Sequence, residues 1–427
     1  MEEIACEYLE MAQATGEQMK KLLLISAVAA STLMASGYKI PEQSLNSTAL
    51  AGAYVSNAST ADAAYYNPAN MAFMSDDTHL ELNLMYIGLS SINFEGSALG
   101  APTHSAESES ENFVIPQIYL VSAPIGEDED IRLGLSLNAP AGLSKRWETT
   151  PESYAAQEFT LKVIEVNPTM SYRFADSFSV AVGMRFVYSS GIISTEPTPR
   201  GYLDLEGDSW DLGYNLALAY KPFDIWGMAL TYRSNIDLTV EGGQGLPASM
   251  APLTHVPGNT SIPLPAVATF ATDLDITDST NIELVYERVF WSAYDELDIQ
   301  LDYPGPALGG PGTQHVISQK DWKDTNTIRL GLTQGLGDTT DLMLGFAYDE
   351  TPVPEENIGF ELPDSDAYIG SIGLRWAASD SVDIGAAVLY DYKTSRTVEP
   401  TVENNGIDGE FTNASALIVS LGLGYKF

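Results

Sequence analysis

Cysteine is all but missing: the 427 residues hold one, Cys6. It lies in residues 1–18, a stretch carrying Glu2, Glu3, Glu7, Glu10 and Glu17, which reads as a misassigned upstream extension ahead of a true start at Met19. The exported chain then has no thiol, which excludes disulfides, thiol nucleophiles and thiolate metal sites. Histidine is equally sparse. His79, His104, His255 and His315 are scattered, and none stands in a recognisable Ser or Asp constellation, so the sequence gives no nucleophile–base pair and no transition-metal site. We therefore expect neither an enzyme nor a bound metal or cofactor. Basic residues are few, 20 Lys+Arg against 58 Asp+Glu for a net charge of −38, and nucleic acid is excluded as a partner. After residue 36 no run of 18 apolar residues occurs, so helical membrane spans are not expected.

What is present is a leader and a long series of alternating segments. Lys20 and Lys21 precede the apolar run 22–30 and the small-residue exit Ala35-Ser36-Gly37, so residues 19–37 read as a cleaved signal peptide. At the C-terminus Leu417, Val419, Leu421, Leu423, Tyr425 and Phe427 alternate with mostly small or polar partners. Period-two alternation places one strand face in apolar and the other in polar surroundings. About 14 such strand candidates follow residue 78. They lie near 78–95, 112–124, 130–142, 158–174, 177–195, 201–220, 224–240, 260–276, 280–300, 324–336, 339–350, 366–378, 381–395 and 411–427. Short joints such as Ala175-Asp176, Gly337-Asp338 and Ser379-Asp380 alternate with long ones at 241–259, 301–322, 351–365 and 396–410. With tyrosines at strand ends, this is the pattern of an outer-membrane barrel. The fold expected is all-β: an antiparallel transmembrane β-barrel of about 14 strands over 78–427, in the outer membrane and monomeric.

Residues 38–77 do not alternate. They predict short helical pieces broken at Asn67-Pro68, because proline disfavours helix in the residue before it. A barrel this wide has a bore to fill, so the segment reads as a plug; the alternative is a periplasmic linker.

Several runs resemble the FadL-type (FadL/TodX-like) outer-membrane transporters. Pro41-Glu42-Gln43-Ser44, Ala51-Gly52-Ala53-Tyr54 and Asn67-Pro68-Ala69 are similar to that family's N-terminal hatch with its Asn-Pro-Ala motif. Pro140-Ala141-Gly142-Leu143 with Trp147, Asn167-Pro168-Thr169-Met170-Ser171-Tyr172-Arg173, Ala229-Leu230-Thr231-Tyr232-Arg233-Ser234 and Trp322-Lys323-Asp324 follow in order. The resemblance implies a 14-stranded barrel plugged by a small helical hatch at 38–77. It implies import of long-chain fatty acids or other hydrophobic compounds, captured at outer loops, passed to a lumen pocket and released sideways through a gap in the wall. One departure is Ala367, where family members often carry an arginine after a Pro-Asp-x-Asp element.

Within that frame Asn138, Pro140 and Gly142 are the wall-gap candidates, since proline gives no ladder hydrogen bond and glycine weakens a strand; the alternative is that the third strand ends there. Applying the strand phase turns Arg132, Arg173, Arg185, Arg233, Arg329 and Arg375 inward, where they either meet a ligand carboxylate or pair with inward Glu165, Asp273, Asp275, Glu283 and Glu287. Of these, Arg173, Arg185, Arg329 and Arg375, together with Lys320, are the candidate carboxylate partners. Leu143 and Trp147 are candidates for an outer landing groove. Tyr65, Tyr66, Met71 and Phe73 are candidates for an inner pocket, or for packing of plug on wall. The expected partners are a hydrophobic small molecule, outer-membrane lipid and lipopolysaccharide, and the barrel assembly machinery. A general porin is the rival, and it would lack the plug.

Overall fold

The computed structural model describes residues 37–127, 130–198, 201–245, 255–303 and 312–427. The expected extension and nearly all of the signal segment lie outside the described residues. Fourteen strands close into an antiparallel barrel. They are β1 (His79–Leu89), β2 (Glu111–Val121), β3 (Ile131–Asn138, continued by Gly142–Arg146), β4 (Glu158–Ala175) and β5 (Phe178–Ser194). β6 (Tyr202–Phe223), β7 (Trp226–Arg233 with Ile236–Gly245), β8 (His255–Leu264 with Val267–Thr277) and β9 (Thr280–Val289 with Glu296–Tyr303) follow. β10 (Gly312–Gln319 with Thr325–Gly335), β11 (Thr340–Asp349), β12 (Ala367–Ala377), β13 (Val382–Lys393) and β14 (Ser415–Lys426) complete the wall. Closure comes from β1 against β14, in register from His79↔Lys426 to Leu89↔Ala416.

The alternation sets the wall's two faces. In β1, Leu82, Leu84 and Tyr86 are exposed on the outside while Glu81, Asn83 and Met85 are buried within. An apolar exterior over a polar interior is what lipid on one side and a filled lumen on the other require. The short joints lie where the sequence places them. Two of the long ones are largely strand instead: Ile236–Gly245 pairs with His255–Leu264, and Glu296–Tyr303 with Gly312–Gln319. These ladders extend the strands and turn Val256, Thr260, Ile262, Leu297 and Ile299 into the core.

Four further strands, Asn93–Ala98, Ala101–Glu107, Arg396–Val398 and Asp408–Thr412, make a separate sheet on the long-loop rim. Phe94 and Phe411 lie 5.0 Å apart by ring centroids, and Phe360 and Trp147 join them at 5.2 Å contacts. In the hairpin of this sheet the His104 Nε2 lies 2.5 Å from the Glu152 carboxylate and its Nδ1 lies 2.8 Å from the Pro102 carbonyl oxygen. Two acceptors on one ring favour the doubly protonated form, and the Glu152 hydrogen bond raises the His104 pKa. A raised pKa stabilises this docking fully below the unfolded value of about 6.5, and the contribution is lost as pH rises through the folded value. Limited proteolysis of the hairpin is expected to accelerate between pH 6 and 8.5, and His104→Gln should flatten the profile; equal cleavage at both pH values would contradict the pairing.

Residues 37–74 lie inside the wall. Leu45–Ala49 forms helix α1, capped by the Ser44 side chain, which accepts from the Ser47 N–H. Ala63–Tyr66 forms α2 and Pro68–Phe73 a 3-10 turn. Asn67 accounts for the Asn-Pro-Ala run: its side chain accepts from the Ala69 N–H at 3.2 Å and donates to the Val55 carbonyl, and Pro68 occupies the first helical position, where no N–H is needed. The segment is fastened by wall side chains. Glu283 accepts from the N–H groups of Val55 and Ser56 at 2.8 and 2.6 Å, and Ser371 donates to the Ala49 carbonyl at 2.8 Å. Gly345 on β11 lies against the Leu50 backbone, too close for any Cβ.

Candidate functional site

β3 bends where Asn138, Pro140 and Gly142 stand. Asn138 pairs with Glu165 of β4, and Gly142 with Lys162. Residues 139–141 on β3 thus oppose only residues 163–164 on β4, one residue too many, which is a bulge. The extra residue drives the backbone inward, where the N-terminal segment satisfies it. The Ile40 N–H donates to the Pro140 carbonyl at 2.9 Å and the Gly142 N–H to the Tyr38 carbonyl at 2.8 Å. The Ala139 N–H donates to the Gln43 side chain at 3.0 Å.

The bend leaves an opening beside it. β2 pairs with β1 along its whole length but with β3 only from Ile118↔Leu137 to Val121↔Gly134, so among the described residues 111–117 have no ladder partner on the β3 side. Pro116 sits on this free edge, where proline is tolerated. Asn138 is buried there, and neither atom of its side-chain amide meets a protein partner. Above, the opening is bridged: Arg146 of β3 donates from Nε and Nη2 to both oxygens of Glu111 of β2, at 2.8 and 2.5 Å. The result is a framed window.

Two cavities lie inside. The outer, about 380 Å³ of empty space, is lined by Tyr38, Leu143, Phe159, Leu161, Ile262 and Trp322 among apolar groups, and by one ion pair, Lys320 with Glu361. The inner, about 710 Å³, is lined by Tyr65, Tyr66, Leu264, Val267 and Val285, by the cations Lys39, Arg185, Arg233 and Arg329, and by Pro140 of the bend. Tyr38 faces the outer cavity and Lys39 the inner, so residues 38–40 partition them.

The inner cations are counterbalanced. Glu165 takes both Arg185 and Arg233, while Glu287 takes Lys39 and Arg329, which also reaches Glu42 at 3.3 Å. The Arg233 guanidinium lies 4.3 Å over the Tyr65 ring, and its Nη1 meets no protein acceptor. Among the described residues Arg329 Nη2 is likewise without a hydrogen-bond acceptor, so the chamber has two open donors.

The remaining residues singled out in the sequence are dispersed. Arg173 sits at the short-turn rim beside Asp130 and lines neither cavity. Its strand phase is right but its depth is wrong, since it is three residues from the turn. Arg375 holds Glu81, Asp383 and Asn46 away from both cavities. Trp147 is fully buried, its Nε1 donating to the Phe360 carbonyl, and belongs to the aromatic cluster. Met71 packs on Gly134 and Thr169, and Phe73 beneath the Lys221 ammonium, both as contacts of segment on wall. Sequence reasoning missed Tyr38, Lys39 and Glu361.

Residues 26–427 match the family described as outer membrane protein transport protein (OMPP1/FadL/TodX). The chain belongs to this family. Among OMPP1/FadL/TodX relatives, the 47 kDa outer membrane protein of Pasteurella multocida is 25% identical over 94% of this chain and 96% of its own. A long-chain fatty acid transport protein of Escherichia coli is 25% identical over 91% and 94%. Among solved structures, a Pseudomonas aeruginosa FadL homologue superposes with a TM-score of 0.78 at 19% identity, covering 92% of this chain and all of that one. The Pseudomonas putida toluene transporter TodX gives 0.65 at 14%, covering 93% and 100%. Family membership makes this an outer-membrane transport protein, and the family is one of transporters, not enzymes.

Proposed function

We propose that the protein imports hydrophobic molecules, foremost long-chain fatty acids, by way of the outer cavity, the inner cavity and the window in β3. The observation that carries this is the continuity of parts: the inner cavity is lined by Pro140, and Pro140 belongs to the bend that opens the wall. An apolar solute gains nothing by crossing a water-filled bore, but it gains about 25 cal/mol for each Å² kept from water along an apolar path that ends in lipid. The lumen segment 38–77 acts as a hatch, turning a bore into chambers and so setting the protein apart from a diffusion porin. Arg185, Arg233 and Arg329 give the inner chamber the positive field that draws a carboxylate inward, with Arg233 Nη1 as its contact atom. Arg375 and Arg173 serve the fold. Export follows cleavage of the leader, and the apolar belt faces the surrounding lipid.

The names of relatives point to two ligand classes, fatty acids and monoaromatic hydrocarbons. The charged inner chamber favours the acids, because a hydrocarbon has no use for buried cations. Cells lacking their own transporter and expressing residues 19–427 should take up labelled oleate. Uptake of toluene alone would move the ligand to hydrocarbons, and uptake of neither with free passage of small sugars would leave a porin.

A further inference from the structure

The outer cavity contains two charged groups, Lys320 and Glu361, and they hold each other at 2.5 Å. The Lys320 side chain is 7% exposed, and its backbone N–H donates to the Asp295 carbonyl at 2.8 Å. Glu361 is the more exposed partner, its side chain 22% exposed. It comes from the strap 351–365, which crosses the cavity and contributes Val353, Asn357, Gly359 and Leu362 to its lining. Burial works against a charge on Glu361, but the Lys320 ammonium outweighs it and keeps the carboxyl below its usual range. The cavity's single ammonium is thus already bound to a carboxylate.

The strap does not need that contact to stay in place. Asp364 is held by Lys393 and by the Thr351 hydroxyl, Arg396 donates to the Asp364 and Val353 carbonyls at 2.6 Å each, and Phe360 is buried in the aromatic cluster. Asn357 donates to Asp321 at 2.9 Å. Gly359 supplies the space for Glu361 to fold back. A Cβ on Gly359 would meet the Glu361 carboxylate, the far end of a flexible side chain, and its three nearest contacts all belong to that carboxylate.

We propose that Glu361 stands in for a ligand carboxylate on Lys320, so that acidic ligands enter the outer cavity by competing with Glu361 while neutral ligands of the same shape do not. This rests on the outer cavity being a ligand chamber, as argued above. Glu361 is a specificity-determining residue: it lowers the cavity's preference for acids over neutral hydrophobes, and it makes acid binding release one contact of the strap. Retained at full strength, the Lys320 ammonium would hold a carboxylate too firmly for onward passage.

The test is equilibrium binding of labelled oleate and labelled methyl oleate to the full exported chain in lipid nanodiscs at pH 8.5. Glu361→Gln should strengthen oleate binding by about tenfold, the size expected for freeing one charge-assisted hydrogen bond, and leave methyl oleate within about twofold. Gly359→Ala should reproduce the gain without altering Glu361, by pushing its carboxylate off Lys320. The double variant Lys320→Met, Glu361→Gln should bind acid and ester alike, and it leaves no unpaired charge in the cavity. An Glu361→Gln variant that binds oleate no better than the parent, or gains equally for the ester, overturns the proposal. Failure of the parent to bind either compound overturns the chamber reading itself, and the proposal with it.

Discussion

Removal of Ala139 should abolish uptake while leaving a folded barrel that still binds ligand. The bend in β3 is one residue of surplus between Asn138↔Glu165 and Gly142↔Lys162. With it removed, β3 and β4 match residue for residue, and the strand has no reason to leave the plane of the wall. Residues 111–117 of β2 then regain a partner, each new backbone hydrogen bond contributing about 0.5–1.5 kcal/mol net. Opposing this, the Ile40, Gly142 and Ala139 hydrogen bonds to the bend are lost. The sum concerns a few bonds in a wall of fourteen strands, so assembly should survive. Heat-modifiable migration reports the folded barrel, oleate binding in nanodiscs reports the chambers, and labelled uptake reports the window. Uptake at the parent's rate by a folded variant would show that ligands leave by another path.

Arg329→Met should loosen the lumen segment without unfolding the wall. Arg329 is 1% exposed; it donates to the Ala51 carbonyl at 2.9 Å and reaches Glu42 and Glu287 as well. Its loss strands two buried carboxylates with only Lys39 near them, and breaking a buried ion pair from one side costs about 3–5 kcal/mol. That cost falls on the joint between residues 37–77 and β10, because the wall is held independently by its ladders. Expected are higher single-channel conductance in planar bilayers and protease access to the segment from the short-turn side. Arg329→Met combined with Glu42→Gln should recover part of the seal, since one stranded charge is then gone. Conductance unchanged from the parent would mean that Glu283, Ser371 and the glycine contact at Gly345 fasten the segment unaided.

The wall was legible because a strand between lipid and lumen has no choice of phase. Leu82 and Glu81 on the wrong sides would each be expensive, so the residue pattern determines the face, and Arg132, Arg185, Arg329 and Arg375 are buried inward as their positions require. At the bend Pro140 and Gly142 are poor ladder residues by type, and the Pro140 carbonyl and the Gly142 N–H bond to the N-terminal segment instead of to a neighbouring strand. Pairing was not legible. Arg329 meets Glu42 across 287 residues and Trp147 meets Phe360 across 213, and neither alternation nor local spacing carries such information. Depth was also hidden, which is why Arg173 reads like Arg185 in the sequence yet lies at the rim. The outer sheet escaped notice because its strands are short and shielded by one another, so the lipid imposes no alternation on them.

The join between β1 and β14 sets the order of events in biogenesis. His79 and Lys426 are neighbours in the finished wall and lie at opposite ends of its sequence. No earlier strand can substitute for the last, so the cylinder stays an open ribbon until the final residues arrive. Contacts of such long range form slowly. The lumen segment touches both halves of that cylinder, Leu45–Ala49 against β11 to β14 and Pro68–Phe73 against β3 to β6, so it must already be in place when the seam shuts, or be threaded in afterwards through the rim. A chain truncated by one strand would present two free edges and an exposed lumen segment together, a ready substrate for periplasmic proteolysis.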